Sequence, residues 1–122
     1  MAVKNIEWFK VANSKKGILW QQNNLTSAEA GDKKITLAKV GNDVLACAYK
    51  CPHAGGILAD GFIDATGNIV CPLHRYKFSL SNGRNVSGEG YYLKRYAVEE
   101  REAGIFIGLE ENNWFDRLMH LK

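Results

Sequence analysis

Two short cysteine–histidine motifs constrain this chain more than any other feature of its sequence. The first is Cys51-Pro-His53 and the second is Cys71-Pro-Leu-His74, with 17 residues between them. Each motif offers one thiolate and one imidazole in a short turn, so two such turns can close on a single site. Two sulfur and two nitrogen ligands suit either zinc or an iron–sulfur cluster. Zinc sites more often combine Cys-x2-4-Cys with His-x3-5-His, a spacing that the first motif lacks.

The residues around the two motifs resemble the Rieske family, in which two histidines replace two cysteines on one iron of a [2Fe-2S] cluster. The resemblance covers roughly residues 33 to 110 and is strong in residues 51–61, 71–78 and 82–83. Within the family, the chain most resembles the soluble Rieske ferredoxins of multicomponent oxygenases. A fold of this family and one [2Fe-2S] cluster are therefore implied.

The resemblance also implies which residues bind which iron. Cys51 and Cys71 would bind the inner iron, and His53 and His74 would bind the outer iron near the surface. Two ferric ions, two sulfides and two thiolates sum to no net charge when the imidazoles are neutral. A four-cysteine cluster would carry two negative charges, so the histidine-ligated cluster is easier to reduce.

The sequence departs from the high-potential respiratory members of the family at four positions near the motifs. Those proteins form a disulfide between the two loops, and the matching positions here are Gly56 and Leu73. They also donate hydrogen bonds from a serine and a tyrosine, where this chain has Tyr76 and Phe78. These four departures indicate the ferredoxin branch, with fewer donors to stabilise the reduced state. Separately, relatives often have glycine after the second histidine, and this chain has Arg75.

Length and charge exclude several other classes of protein. The 122 residues suffice for one domain with one modest core, and the net charge is +3. No basic run exceeds two residues, which argues against a nucleic-acid partner. No apolar run reaches the length of a signal peptide or of a membrane span, so we expect a cytoplasmic protein with no membrane association.

The chain has a third cysteine and a third histidine that stand apart from the motifs. If Cys51 and Cys71 bind metal, Cys47 is left without a disulfide partner. We expect Cys47 to be a buried structural thiol, because free cysteine is among the most buried residue types. His120 has no neighbouring ligand in the sequence and is not assigned to the site.

Strand patterns dominate the rest of the sequence. Residues 34–40 and 44–49 flank the turn Gly41-Asn42-Asp43, and residues 61–65 and 69–70 flank Thr66-Gly67-Asn68. Both arrangements predict β-hairpins. Further strands are predicted at residues 6–11, 76–80, 91–99 and 105–109, and helix only at Leu25–Ala30 and in the tail from Trp114. The fold class is therefore all-β, a small antiparallel sandwich or barrel.

The resemblance implies an insertion within a single Rieske domain of residues 1–122. Residues 1–46 and 85–122 would build a basal β-domain. Residues 47–84 would form a smaller cluster-binding subdomain between them.

The function implied by the resemblance is one-electron transfer from a flavin-containing reductase to a terminal oxygenase. We do not expect an enzyme or a small-molecule substrate, because no His/carboxylate triad remains once His53 and His74 are used. Two alternatives stay open: a component similar to the small subunit of a nitrite reductase, and a zinc-stabilised binding module without a redox role.

Three basic residues flank the expected ligands, namely Lys50, Arg75 and Lys77. They are either solvated surface charges or a basic rim that guides an acidic partner.

Overall fold

A computed structural model describes residues 6–52, 55–88 and 90–110 of the chain. Within them lie nine strands and two single-turn 3-10 helices, Lys15–Gly17 and Leu58–Asp60. The strands are β1 (Ile6–Ala12), β2 (Leu25–Ala30), β3 (Lys33–Val40), β4 (Asp43–Ala48), β5 (Phe62–Ile63), β6 (Asn68–Val70), β7 (Lys77–Ser79), β8 (Arg95–Arg101) and β9 (Gly104–Glu110). The prediction of an all-β fold is confirmed. None of the helices in the described residues is long and apolar enough to cross a membrane.

Six strands form one antiparallel sheet in the order β1-β9-β8-β4-β3-β2. The sheet curls so that its two ends meet. The ring of Phe9 in β1 lies against Gly31, which directly follows β2, and a Cβ at position 31 would stand 2.9 Å from that ring. Gly31 has φ +64, so the turn after β2 requires glycine for its backbone as well as for this contact.

The remaining strands, β5, β6 and β7, form a separate three-stranded antiparallel sheet. The second sheet packs on one face of the first and shares a core with it. That core contains Leu25, Ala38 and Cys47 from the large sheet, and Leu58, Ile69 and Phe78 from the region of the small one. A second core lies on the other face of the large sheet and includes Ile35, Leu37, Ile105 and Ile107. The strand β3 is therefore covered on both faces, which explains its continuous buried run from residue 35 to residue 38.

Both predicted hairpins are present. Strands β3 and β4 pair up to Val40 and Asp43, with Gly41 and Asn42 as the turn. Gly41 has φ +62, the left-handed conformation that such two-residue turns demand. Strands β5 and β6 pair through Phe62 with Val70, and β6 leads directly into Cys71.

The helix predicted at Leu25–Ala30 is wrong. The segment is strand β2 and pairs with β3 along its whole length, from Leu25 opposite Ala38 to Ala30 opposite Lys33. Alanine and glutamate are good helix formers, but intrinsic propensity is a weak determinant that tertiary context often overrides. Here the pairing, together with full burial of Leu25 and Ala30, outweighs that preference.

The strand predicted at residues 91–99 begins later and ends later, at Arg95–Arg101. Residues 91–94 lie outside any strand, although the N–H of Leu93 donates to the carbonyl of Gly83 at 2.8 Å and the carbonyl of Lys94 accepts from the N–H of Ala48 at 2.9 Å. The helix predicted from Trp114, and His120, lie outside the described residues. The division into a basal part and an inserted subdomain of residues 47–84 stays a prediction.

Candidate metal centre

The first predicted ligand loop is closed by backbone hydrogen bonds around Cys51. The Cys51 N–H donates to the carbonyl of Gly56 at 2.8 Å, and the Gly55 N–H donates back to the Cys51 carbonyl at 2.9 Å. Lys50 and Ile57, one residue further out on each side, form an antiparallel bridge. The positive φ of Gly55 (+75) lets the chain reverse within this short span.

The second loop repeats this arrangement at Cys71. The Cys71 N–H donates to the carbonyl of Tyr76 at 2.8 Å, and the flanking Val70 and Lys77 are paired across β6 and β7. In both loops the cysteine N–H therefore bonds to the residue five positions later. The two cysteines therefore occupy equivalent positions, each at the base of a short loop that is closed by antiparallel backbone pairing.

The two loops bring the Cys51 and Cys71 thiols together in the shared core. Cys51 is 3% exposed and Cys71 is fully buried, and their side chains interact directly without a disulfide. Burial raises the pKa of Cys71, and the neighbouring Cys51 thiol raises it further. The backbone N–H groups of Leu73 and Gly56 lower the same pKa, and the Leu73 nitrogen lies 3.4 Å from the Cys71 Sγ.

Gly56 forms part of the wall around the Cys71 sulfur. A Cβ at position 56 would stand 3.0 Å from the Cys71 Sγ and 3.1 Å from the Cγ of Leu73. The backbone at position 56 approaches the sulfur this closely because glycine has no side chain. The two positions that carry a disulfide in high-potential relatives therefore face each other here, with a leucine side chain packed against glycine.

His74 lies at the exposed tip of the second loop with φ +63, and Arg75 follows with φ +56. The His74 ring meets the Tyr76 ring edge to face, with 6.5 Å between centroids. Two consecutive non-glycine residues in the left-handed region are rare. For a long side chain such as arginine this conformation is strained. This explains why relatives often have glycine after the second histidine, since glycine adopts a positive φ without strain.

Of the four predicted ligands, the structure brings Cys51 and Cys71 together. His53 lies outside the described residues. Among the residues that are described, no three His, Cys, Asp or Glu side chains converge on a single ion. A Rieske cluster spreads its ligands as one pair per iron, so a convergent triad is not required.

The donor set fits such a cluster on three observations. Two thiols meet in a dry core, backbone N–H groups face one sulfur, and an exposed imidazole follows in the same loop. Pro52 and Pro72 lie in exposed turns and fix φ next to each cysteine without adding a donor.

Cys47 is separate from this pair in its bonding. It is fully buried in β4 and hydrogen-bonds Thr36 of the adjacent strand. Burial raises its pKa to about 12, and the Thr36 hydroxyl opposes this only in part. The thiol is therefore neutral at ordinary pH, which agrees with the predicted structural role.

Sequence reasoning missed two features of the site. The Leu73 N–H that faces the Cys71 sulfur is a backbone group, and no side-chain pattern reveals it. The left-handed conformation of Arg75 was also missed, although its departure from glycine was a usable signal.

Comparisons with known proteins agree with this geometry. Residues 7–94 match the family model described as the Rieske [2Fe-2S] domain. Over 78 residues the chain is 30% identical to the 3-phenylpropionate/cinnamic acid dioxygenase ferredoxin subunit of Shigella flexneri serotype 5b, covering 63% of this chain and 74% of that protein.

Solved structures share the fold. The carbazole 1,9a-dioxygenase complex of reduced oxygenase and oxidised ferredoxin contains a chain with TM-score 0.70 and 23% identity, covering 86% of this chain and 95% of that one. A putative NADH-dependent nitrite reductase small subunit from Mycobacterium tuberculosis has a TM-score of 0.74 and 15% identity. The match covers 88% of this chain and 99% of that one.

Proposed function

The chain belongs to the Rieske [2Fe-2S] domain family, and we propose that it is a one-electron carrier that serves a terminal oxygenase. The observation that carries the proposal is the meeting of Cys51 and Cys71 in a dry core, at the base of two equivalent loops. The identity to a dioxygenase ferredoxin subunit supports the same role. Two relatives of this chain are named as ferredoxin components, one of a dioxygenase and one of an alkene monooxygenase system.

We propose one [2Fe-2S] cluster per chain, with Cys51 and Cys71 on one iron and His53 and His74 on the other. The cluster would supply reversible one-electron redox chemistry when bound. The exposed position of His74 supports an electron path to the surface on the histidine side. The burial of both cysteines supports a water-free inner side.

The residues of the loops have three roles in this proposal. The Leu73 and Gly56 N–H groups stabilise negative charge on the Cys71 sulfur. Phe78 and Leu58, both fully buried in the shared core, exclude water from the two sulfurs. The backbone bonds that close each loop hold the cysteines at a fixed separation before any metal binds.

The proposed partners are a flavin-containing reductase as donor and a terminal oxygenase as acceptor. A ferredoxin and an oxygenase form a complex in the carbazole 1,9a-dioxygenase structure, which supports the second partner by analogy. Cys47, Cys51 and Cys71 form no disulfide in the structure, which is compatible with a reducing compartment, and we propose the cytoplasm.

Metal analysis and spectroscopy test the proposal directly. Purified protein should contain about two iron and two sulfide per chain and should be red-brown. Its reduced form should show an EPR signal with a low average g value. Zinc at one ion per chain in iron-supplied, colourless material would instead support the zinc-stabilised module.

A second candidate is an electron-transfer component of a nitrite reductase. Its support is the structural similarity to the nitrite reductase small subunit, which covers nearly all of that chain. At 15% identity that similarity concerns the fold alone. Reduction assays with a Rieske oxygenase and with a sirohaem nitrite reductase as acceptors would distinguish the two roles.

A further inference from the structure

The positive charge of this chain is concentrated in the two ligand loops and the residues beside them. Residues 44–59 and 71–88 contain four basic residues and no acidic one: Lys50, Arg75, Lys77 and Arg84. The whole chain has 16 basic and 13 acidic residues. The other 88 residues therefore contain 12 basic and 13 acidic residues and are close to neutral. Asp60 and Asp64 lie between the two segments, so residues 44–88 as a whole carry four basic and two acidic residues, which gives two of the chain's three net positive charges.

Within the described residues, one of these four basic residues forms an ion pair. Lys77 lies 3.9 Å from a carboxylate oxygen of Asp64. In the part of the chain that the structure describes, Lys50, Arg75 and Arg84 form no ion pair, and all three are exposed. Charges left free next to a proposed electron exit are available to a partner.

Arg75 differs from the other basic residues in its backbone. It holds a long side chain at φ +56, directly after His74, where glycine would be free of strain. An unfavourable backbone conformation at a functional end of a protein is more readily maintained when the side chain contributes to function. Leu73, on the other side of His74, is 48% exposed and adds an apolar contact beside the charge.

We propose that Arg75 is a specificity-determining residue that binds carboxylates on an acidic partner protein docking over His74. This rests on the proposed function, because electron exchange must occur at the same end of the molecule. The guanidinium forms a planar fork that matches a carboxylate with two hydrogen bonds, which a lysine cannot do. Lys50 and Arg84 add long-range attraction and mainly speed the encounter.

The first experiment needs no redox chemistry. A fluorescently labelled decaglutamate peptide is titrated with the cluster-containing protein at low salt, and binding is followed by anisotropy. Arg75→Glu should weaken binding by about threefold or more, and Arg75→Lys should weaken it less. The control is Lys16→Glu, which makes the same charge change on an exposed residue beside Lys15.

Lys16 is a suitable control because it lies away from the loops. Lys15 donates to the carbonyl of Asn42 at 2.7 Å, and Asn42 is at the end of β4 remote from Cys51. Six residues of strand separate the two ends by about 20 Å, which exceeds the Debye length of about 8 Å at physiological salt. Equal weakening in Arg75→Glu and Lys16→Glu would overturn the proposal.

The second experiment measures electron transfer with inorganic probes of opposite charge. The reduced protein gives one electron to ferricyanide, a trianion, or to tris(phenanthroline)cobalt(III), a trication, and each metal is reduced from the trivalent to the divalent state. Arg75→Glu should slow the first reaction and speed the second at low salt, by about threefold or more, with smaller effects at high salt.

The two experiments separate the inference from the function on which it rests. Wild-type protein without iron or a reversible potential would refute the electron-carrier proposal, whatever the peptide shows. A reversible potential with probe rates that do not depend on Arg75 would refute only the docking role. Steering of ferricyanide without any binding of decaglutamate would also overturn it, since it would indicate small anions and not a protein surface.

Discussion

The backbone of Gly56 lies so close to Cys71 that a Cβ at position 56 would stand 3.0 Å from the Cys71 Sγ. We therefore expect Gly56→Ala to push the two loops apart, at a cost of about 1–3 kcal/mol typical of overpacking. Iron content per chain and the thermal midpoint should both fall. Gly88→Ala is the matched control, because a Cβ at position 88 meets nothing within 4 Å.

If Gly56→Ala retains iron and has the same thermal midpoint as Gly88→Ala, the close approach at position 56 is not needed for the site. A fall in both variants would indicate a general loss from replacing glycine in this region.

The hairpins could be predicted because their signals are local. The glycine in Gly41-Asn42 supplies the positive φ of the turn, and the short apolar segments on either side of it pair as β3 and β4. The cysteine pair was predictable for the same reason, since each Cys-Pro motif lies within one short loop. The two loops could be linked to each other only through the family resemblance.

The errors arose where long-range contacts decide the structure. Leu25–Ala30 is a strand because β3 pairs with it, and nothing within those six residues reveals that partner. Similarly, residues 91–94 have the composition of a strand but lie outside one, with Leu93 bonded to the Gly83 turn and Lys94 bonded to Ala48 of β4. The positive φ of Arg75 is a property of the backbone of the Cys71 loop, which the residue types alone do not specify.

Replacement of each cysteine should separate ligands from structural thiols. Cys51→Ser and Cys71→Ser should yield colourless or unstable protein, because cluster binding and folding are coupled in so small a region. Cys47→Ser should keep its colour and lose about 1–3 kcal/mol, through a buried hydroxyl that Thr36 satisfies only in part. Visible absorption and iron content are the measurements. A bleached Cys47→Ser beside a coloured Cys51→Ser would overturn the ligand assignment.

Arg75→Gly should raise stability while it removes a charge. Relief of the left-handed conformation stabilises the fold by about 1–2 kcal/mol. Glycine offsets about 0.5–1 kcal/mol of this gain, because its unfolded chain has more conformational freedom to lose on folding. The thermal midpoint of cluster-loaded protein should therefore rise slightly. Arg84→Gly, at an exposed position without positive φ, should lower it. If both variants lower the midpoint alike, position 75 is not strained.

Asp64 gives the β5–β6 hairpin a defined response to acid. Hydrogen bonds from the Asn68 backbone, together with Asn68 and Thr66 side-chain bonds, lower the pKa of Asp64 to about 2. A lowered pKa means that the ionised group stabilises the fold above about pH 4, and that this contribution is lost as the pH falls toward 2.

Asp64→Asn should thus reduce the thermal midpoint at pH 7, by roughly 2–4 °C, and the difference from wild type should shrink on acidification. Asp32→Asn is the control, since Asp32 makes no side-chain hydrogen bond with any residue in the described ranges. Midpoints from pH 7 to pH 3 are compared for all three proteins. A difference that is independent of pH would show that charge on Asp64 has no such role.

Phe78 sets an expectation for the reduction potential. Its ring is fully buried in the core that contains Cys51 and Cys71, and it cannot donate a hydrogen bond to either sulfur. With this donor and the inter-loop disulfide both missing, the potential should lie near the low end of the Rieske range, at roughly −150 mV on a span that reaches about +300 mV. Phe78→Tyr should raise it by about tens of millivolts if the hydroxyl reaches a sulfur, whereas Phe78→Leu should not. Protein-film voltammetry measures all three, and a wild-type potential above about +100 mV would refute assignment to the ferredoxin branch.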